Sequence, residues 1–175
     1  VWRVIEQFLA QSERRAYRMA YIATGSHDDA LDIVQDAMIK LVQKYASRDV
    51  EEWGPLFHRI LQSHIRDWYR RSKLRNGLRS LLSWGSEEGD PLDNLPSSKQ
   101  WGPDKQLQAD GAMDLLDEAI HRLPLRQQQA FLLRCWEGLN TAQTAHAMSC
   151  STGSVKTHYS RALSALRNSL EGQQL

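Results

Sequence analysis

One stretch constrains the fold more than any other. In DDALDIVQDAMIKLVQKY, residues 28–45, the apolar positions Ala30, Ile33, Val34, Ala37, Met38, Leu41, Val42 and Tyr45 recur at i, i+3, i+4 and i+7 without a miss. An α-helix puts all of them on one face; a strand would scatter them over two. The same period runs from about Val4 to Leu82 and returns from about Asp110 to Leu170. No segment alternates with a strand's period of two. The expected fold is all-α, in two small helical bundles.

Between the periodic regions, SWGSEEGDPLDNLPSSKQWGPDK collects Gly, Pro, Ser and acids without a sustained period. It reads as a flexible acidic linker, extended and mobile when free. The expected organisation is a first bundle over 1–82, a linker over 83–109 and a second bundle over 110–175. In the first bundle, Gly25 suits a helix stop and Ser26 a new N-cap. ASRDVEEWGP, residues 46–55, reads as a loop, followed by an apolar stripe of Phe57, Ile60, Leu61, His64 and Trp68. Trp68 and Tyr69 read as core and rim packing.

In the second bundle Pro124 opens a helix that runs through Phe131, Leu132, Cys135 and Trp136, and Gly138 stops it. Cys135 is read as a core residue. Asn140 can N-cap a short helix from Thr141 to Met148, SCST makes a turn, and Ser151 can N-cap the last helix. Helix, short helix, tight turn and a final helix with a polar, basic outer face spell a helix-turn-helix. The alternative is a plain helical hairpin.

The net charge of +1 conceals an asymmetry. From Leu56 to Arg79 seven basic side chains face one acid; from Glu87 to Asp104 five acids face one lysine. Three faces exceed what a core requires. Asp32, Gln35, Asp36 and Ile39 form an acidic and apolar strip, either a solvated face or a patch that docks on a basic surface. Arg59, Ser63, Arg66 and Arg70 fall at i, i+4, i+7 and i+11, one stripe suited to backbone phosphates. Trp53 can stack on an unpaired base or cap the bundle. On the final helix, Lys156, Thr157, Ser160 and Arg161 carry groups able to read base edges or phosphates.

Other classes find little support. Two cysteines are too few for a disulfide framework and point to a reducing cytosol. Cys135, His146, Cys150 and His158 lack a compact ligand spacing, so no metal or other cofactor is expected. There is no Gly-rich phosphate loop and no paired nucleophile and base, so no enzyme is expected. No apolar run approaches the length of a membrane span, and no signal peptide is visible. The expected location is the cytoplasm, with no membrane insertion and no small-molecule substrate.

These residues resemble a family. DALDIVQDAMIKL is similar to the region 2 core-binding helix of bacterial sigma factors, usually written D-A-x-D-[LIV]-[VT]-Q-[ED]. RLPLRQQQAFLLRCWEGLNTAQTAHAMSCSTGSVKTHYSRALSALR resembles sigma region 4, with its leucine-proline start, glycine-leucine turn and GTV(K/R)-type recognition helix ending in RA. Two such regions joined by a short linker look like the extracytoplasmic-function group of the sigma-70 family. The likeness spans nearly the whole chain except the linker. Thr144 stands where the family more often has Ile or Val, and Leu56-Phe57-His58 stands where it more often has Trp-Leu-Tyr.

The resemblance implies a transcription initiation factor that binds core RNA polymerase, directs it to −35 and −10 promoter elements and helps melt the −10 region. Asp32, Gln35, Asp36 and Ile39 would face the clamp of the β′ subunit. Arg48, Trp53, Arg59, Gln62, Ser63, Arg66 and Arg70 would handle the melted −10 strand. Ser154, Lys156, Thr157, Ser160 and Arg161 would face the −35 duplex, with the second bundle on the β flap. The acidic linker would thread the RNA exit path, and an anti-sigma factor would mask the free protein. Two other readings stay open: a LuxR-type regulator binding duplex operator as a dimer, and a helical interaction adaptor whose basic stripe is only solvated.

Overall fold

The protein is described by a computed structural model over residues 2–75 and 111–172. The segment read as an acidic linker, 83–109, lies outside the described residues. Those residues form α1 (Trp2–Thr24), α2 (His27–Tyr45), α3 (Val50–Arg75), α4 (Gly111–His121), α5 (Leu125–Cys135), α6 (Thr141–Met148) and α7 (Thr152–Glu171), with no strand among them. The fold is all-α, in two helical bundles, α1–α3 and α4–α7.

Local chemistry sets the breaks. Gly25 ends α1 at φ +65°, a left-handed conformation that costs a residue with a Cβ about 1–2 kcal/mol. Ser26 then caps α2, its hydroxyl accepting from the Asp29 N–H at 3.3 Å. Asp28 and Asp29 in the first turn suit the positive helix end. The loop expected over 46–55 is shorter than its composition suggested. Helix α3 begins at Val50, with Glu52 N–H already bonded to the Asp49 carbonyl at 2.9 Å. Pro55 sits inside it and removes one backbone donor. Trp53 and Phe57, four residues apart on one face, are both buried and hold the helix through that gap.

The first core gathers Ile5, Met19, Ile22, Leu41, Trp53, Phe57, Leu61 and Ile65. Phe8 closes one side, meeting the Phe57 ring edge-on with centroids 6.0 Å apart. Burying each large side chain contributes about 1.5–3 kcal/mol before conformational entropy is counted. The second core forms around Ile120, Leu125, Leu133, Met148, Val155 and Leu166. Trp68 and Tyr69 are buried, as expected. Cys135 is not: it ends α5 on the exposed side, its Sγ 3.4 Å from the Tyr159 hydroxyl. At the last residue of a helix the apolar period no longer dictates which side is covered.

The two bundles pack on each other. Helix α3 lies against α6, and α1 lies against α4 and α5. The buried side chains of both bundles form one continuous apolar cluster. None of the helices among the described residues is long and apolar enough to cross a membrane.

Candidate nucleic-acid and protein interfaces

The outward face of α2 is exposed along its length. Asp32, Gln35 and Asp36 are open to solvent, and Ile39 is 52% exposed. Leu31 extends the same strip. Two carboxylates four residues apart repel by about 0.2–0.5 kcal/mol, and an exposed isoleucine gains nothing from water. Such a strip suits a partner that brings positive charge and apolar surface together. Its edge reaches α3. There burial holds the His64 imidazole below its usual range; Lys40 and Arg71 push the same way, while Asp36 and Asp67 oppose them.

On α3 the expected stripe is divided. Arg59 and Ser63 are exposed, and Arg66 and Arg70 are half-buried. Gln62 is buried, its side-chain amide donating to Met19 Sδ at 3.5 Å. Arg48, in the loop before the helix, lies 3.9 Å from the exposed Glu52 carboxylate. Trp53 is only 1% exposed, and its indole N–H donates to the Tyr45 carbonyl at 2.9 Å. A ring so enclosed offers no face to a base in this conformation; its bulk fills the α2–α3 corner, and its N–H joins that of Arg48 on the Tyr45 carbonyl. Of the two readings of Trp53, the geometry matches the cap on the bundle.

The second bundle has the element order and tight turn of a helix-turn-helix. Gly138, at φ +65°, ends α5. Asn140 and Gln143 form a reciprocal capping box at the start of α6, at 2.8 and 2.9 Å. Thr144 is fully buried and donates its hydroxyl back to the Asn140 carbonyl at 2.8 Å. Ser149 turns the chain in a left-handed conformation, and Ser151 caps α7 by accepting from the Ser154 N–H at 3.1 Å. Arg126 locks this turn from inside. Its guanidinium donates to the Met148 carbonyl at 2.7 Å and to Gln129 Oε1 at 2.9 Å. A cation on the last carbonyls of α6 is doubly favoured, by hydrogen bonding and by the helix dipole.

Helix α7 buries Val155, Ala162 and Leu166 and turns Lys156, Thr157, Ser160 and Arg161 to solvent. Ser154 is half-buried at the cap, its Oγ 2.9 Å from Ser151 Oγ. The Thr157 hydroxyl donates to the Gly153 carbonyl at 3.1 Å, and its oxygen can still accept a bond from a donor. A hydrogen bond with Cys135 raises the Tyr159 hydroxyl above its ordinary range, burial adds to this, and Arg134 lies over its ring. No three His, Cys, Asp or Glu side chains among the described residues come together as a metal site.

Sequence comparison agrees with both halves of this architecture. Residues 4–75 match Sigma-70 region 2, and residues 113–166 match Sigma-70, region 4. The chain belongs to the sigma-70 family. The region 4 match is to the form found in extracytoplasmic-function members. The RNA polymerase sigma-E factor of Streptomyces antibioticus is 30% identical, over 84% of this chain and 73% of that protein. The sigma factor SigV of Bacillus subtilis is 29% identical, over 91% of this chain and 86% of its own length. The sigma factor RpoE of Bartonella quintana, solved in complex with the anti-sigma factor NepR, has the same fold. Its TM-score is 0.64 at 20% identity, covering 95% of this chain and 96% of that one. The chain is thus an extracytoplasmic-function sigma factor, a transcription initiation factor. The dimeric operator-binding regulator and the adaptor are not favoured.

Proposed function

We propose that the two bundles divide the work of initiation between named faces. The α2 strip of Asp32, Gln35, Asp36 and Ile39 docks on the β′ clamp of core polymerase. Arg48, Arg59, Gln62, Ser63, Arg66 and Arg70 handle the melted −10 strand, with Trp53 holding the corner beneath them. Ser154, Lys156, Thr157, Ser160 and Arg161 read the −35 duplex, with the second bundle resting on the β flap. The units are 1–82 and 110–175, with 83–109 between them. The sigma factor does no covalent chemistry itself, works in the cytoplasm beside the polymerase, and is held in check by an anti-sigma factor, as the Bartonella relative is bound by one.

The observation that carries this reading is the α2 strip. It joins exposed carboxylates to an exposed isoleucine on one helix face, and it lies within the region 2 match. Binding to purified core polymerase tests it. The wild type should bind tightly, and an Asp32→Arg, Asp36→Arg double variant should lose at least tenfold in affinity while keeping its helical content. Equal binding by the two proteins would move the polymerase contact elsewhere.

A further inference from the structure

His64 is the odd member of its own stripe. Phe57, Ile60, Leu61 and Trp68 share that side of α3 and are buried, while His64 is half-buried and can carry charge. It sits on the side of α3 that packs against α2. Its Nε2 is sealed from solvent, and no described group bonds it. Four charged side chains act on the ring across this seam. Helix α2 supplies Asp36 and Lys40, four residues apart in one row. Helix α3 supplies Asp67 and Arg71, one and two turns beyond His64.

Asp36 also belongs to the strip assigned above to the β′ clamp, so the seam borders the docking face. With a neutral imidazole, Asp32, Asp36 and Asp67 stand against Lys40 and Arg71, which leaves one negative charge in excess. A proton on His64 cancels that excess. The enclosure of Nε2 adds a second effect. An imidazolium presents two N–H groups, and an N–H at this nitrogen has no acceptor in place. The carboxylates able to supply one are Asp36 and Asp67, and a bond to Asp36 withdraws that carboxylate from the strip. Burial, and after it Lys40, holds the ring below its usual range, with Arg71 on the same side and Asp36 and Asp67 opposing. The ring is therefore mostly neutral at pH 6.5 and gains its charge below that.

We infer that His64 sets the strength of polymerase docking through Asp36: neutral, it leaves that carboxylate to a basic partner; protonated, it claims the carboxylate and cancels the seam's negative charge, and docking weakens. This inference rests on the assignment of the α2 strip to the clamp. His64 is a positioning residue here, half-buried behind the strip and acting on the partner only through its neighbours. A fall in pH thus loosens the grip of the sigma factor on polymerase.

Affinity for purified core polymerase, measured between about pH 7.5 and 5.5 at one ionic strength, tests this. Wild type is compared with His64→Gln, which stays polar and takes no proton in this range. Groups on the polymerase titrate equally against both proteins and cancel in the comparison. Over this span wild type should weaken about two- to fivefold more than His64→Gln, the effect of one unit charge acting through solvent. The same pair is then measured with Asp36→Asn in both. With the shared carboxylate gone, the difference between their pH profiles should shrink to less than about twofold. Far-UV circular dichroism at each pH follows the helices.

Coincident pH profiles for wild type and His64→Gln would overturn the inference. So would loss of helical signal in wild type at the acid end, because partial unfolding would then account for the weaker binding. A difference that survives Asp36→Asn at full size would overturn the route through Asp36. The assignment of the strip is judged separately, by the Asp32→Arg, Asp36→Arg variant. If that variant binds as tightly as wild type, the assignment itself falls. If it loses affinity while the wild-type and His64→Gln profiles coincide, the strip stands and only the role of His64 is lost.

Discussion

At the scale of the residue, Trp53 shows how a side chain suited to nucleic acid serves the fold instead. Its ring is enclosed between Phe8, Phe57 and the end of α2, and its N–H satisfies the Tyr45 carbonyl. Truncation to alanine leaves a cavity and removes one of the two bonds to the Tyr45 carbonyl, which the Arg48 N–H also reaches at 3.0 Å. Trp53→Ala should therefore cost about 3–5 kcal/mol of stability, seen as a fall in the urea midpoint. A tryptophan working only as a stacking platform would leave that midpoint within about 0.5 kcal/mol of wild type. Thr144 gives the opposite case. Its hydroxyl is buried, but the Asn140 carbonyl that accepts it also accepts the Thr144 backbone N–H at 2.9 Å. Thr144→Val leaves no polar group stranded and should change stability by less than about 0.5 kcal/mol. Asn140→Ala removes half of the capping box and should cost about 1 kcal/mol in the same measurement.

At the scale of the element, legibility follows locality. Helix α2 was plain because its period is unbroken and its cap, Ser26, is adjacent. The breaks at Gly25, Gly138, Asn140 and Ser151 were equally readable, each being a single residue with a single conformational role. The start of α3 runs against its local sequence preference. Gly54 and Pro55 are turn-formers by local preference, and the burial of Trp53 and Phe57 against α1 and α2 overrides them. Cys135 was misjudged because a helix end can turn away from the core that its interior faces. Least legible was the bundle contact. Arg18 and Asp117 stand 99 residues apart, and neither breaks or extends a periodic pattern. The α7 face was visible as exposed polar residues, but the covering of the α3 stripe depends on where the second bundle lands.

At the scale of the whole molecule, the response to acid is set by a few partly buried groups. Burial holds His64 below 6.5, so the folded chain prefers it neutral. The corresponding stability is complete above pH 6.5 and declines as pH falls below it. For Glu137, burial alone would push the carboxyl up; the hydrogen bond and charge of His58, with Arg15, outweigh it and hold the group below 4.5. That contribution is complete above pH 4.5 and is lost as pH falls through the depressed value. Asp117 runs the other way: burial raises it above 3.8 despite Arg18, and protonation relieves a cost. The urea midpoint should therefore already drop between pH 7 and 5.5, before the carboxylates protonate. His64→Gln should flatten that part of the profile, and a slope left unchanged by His64→Gln would assign it to another group.

The long sequence separation across the bundle contact also has a consequence in time. The described helices of the first bundle are complete once Arg75 has been made, whereas the last helix of the bundle that packs on them ends at Glu171. At translation rates of about 5–20 residues per second, roughly 5–20 s pass between the two. Throughout that interval α3 is finished and the helices that pack on it are still being synthesised. Each newly made molecule thus passes through a stage in which the side of α3 that will meet α6 is complete but faces water.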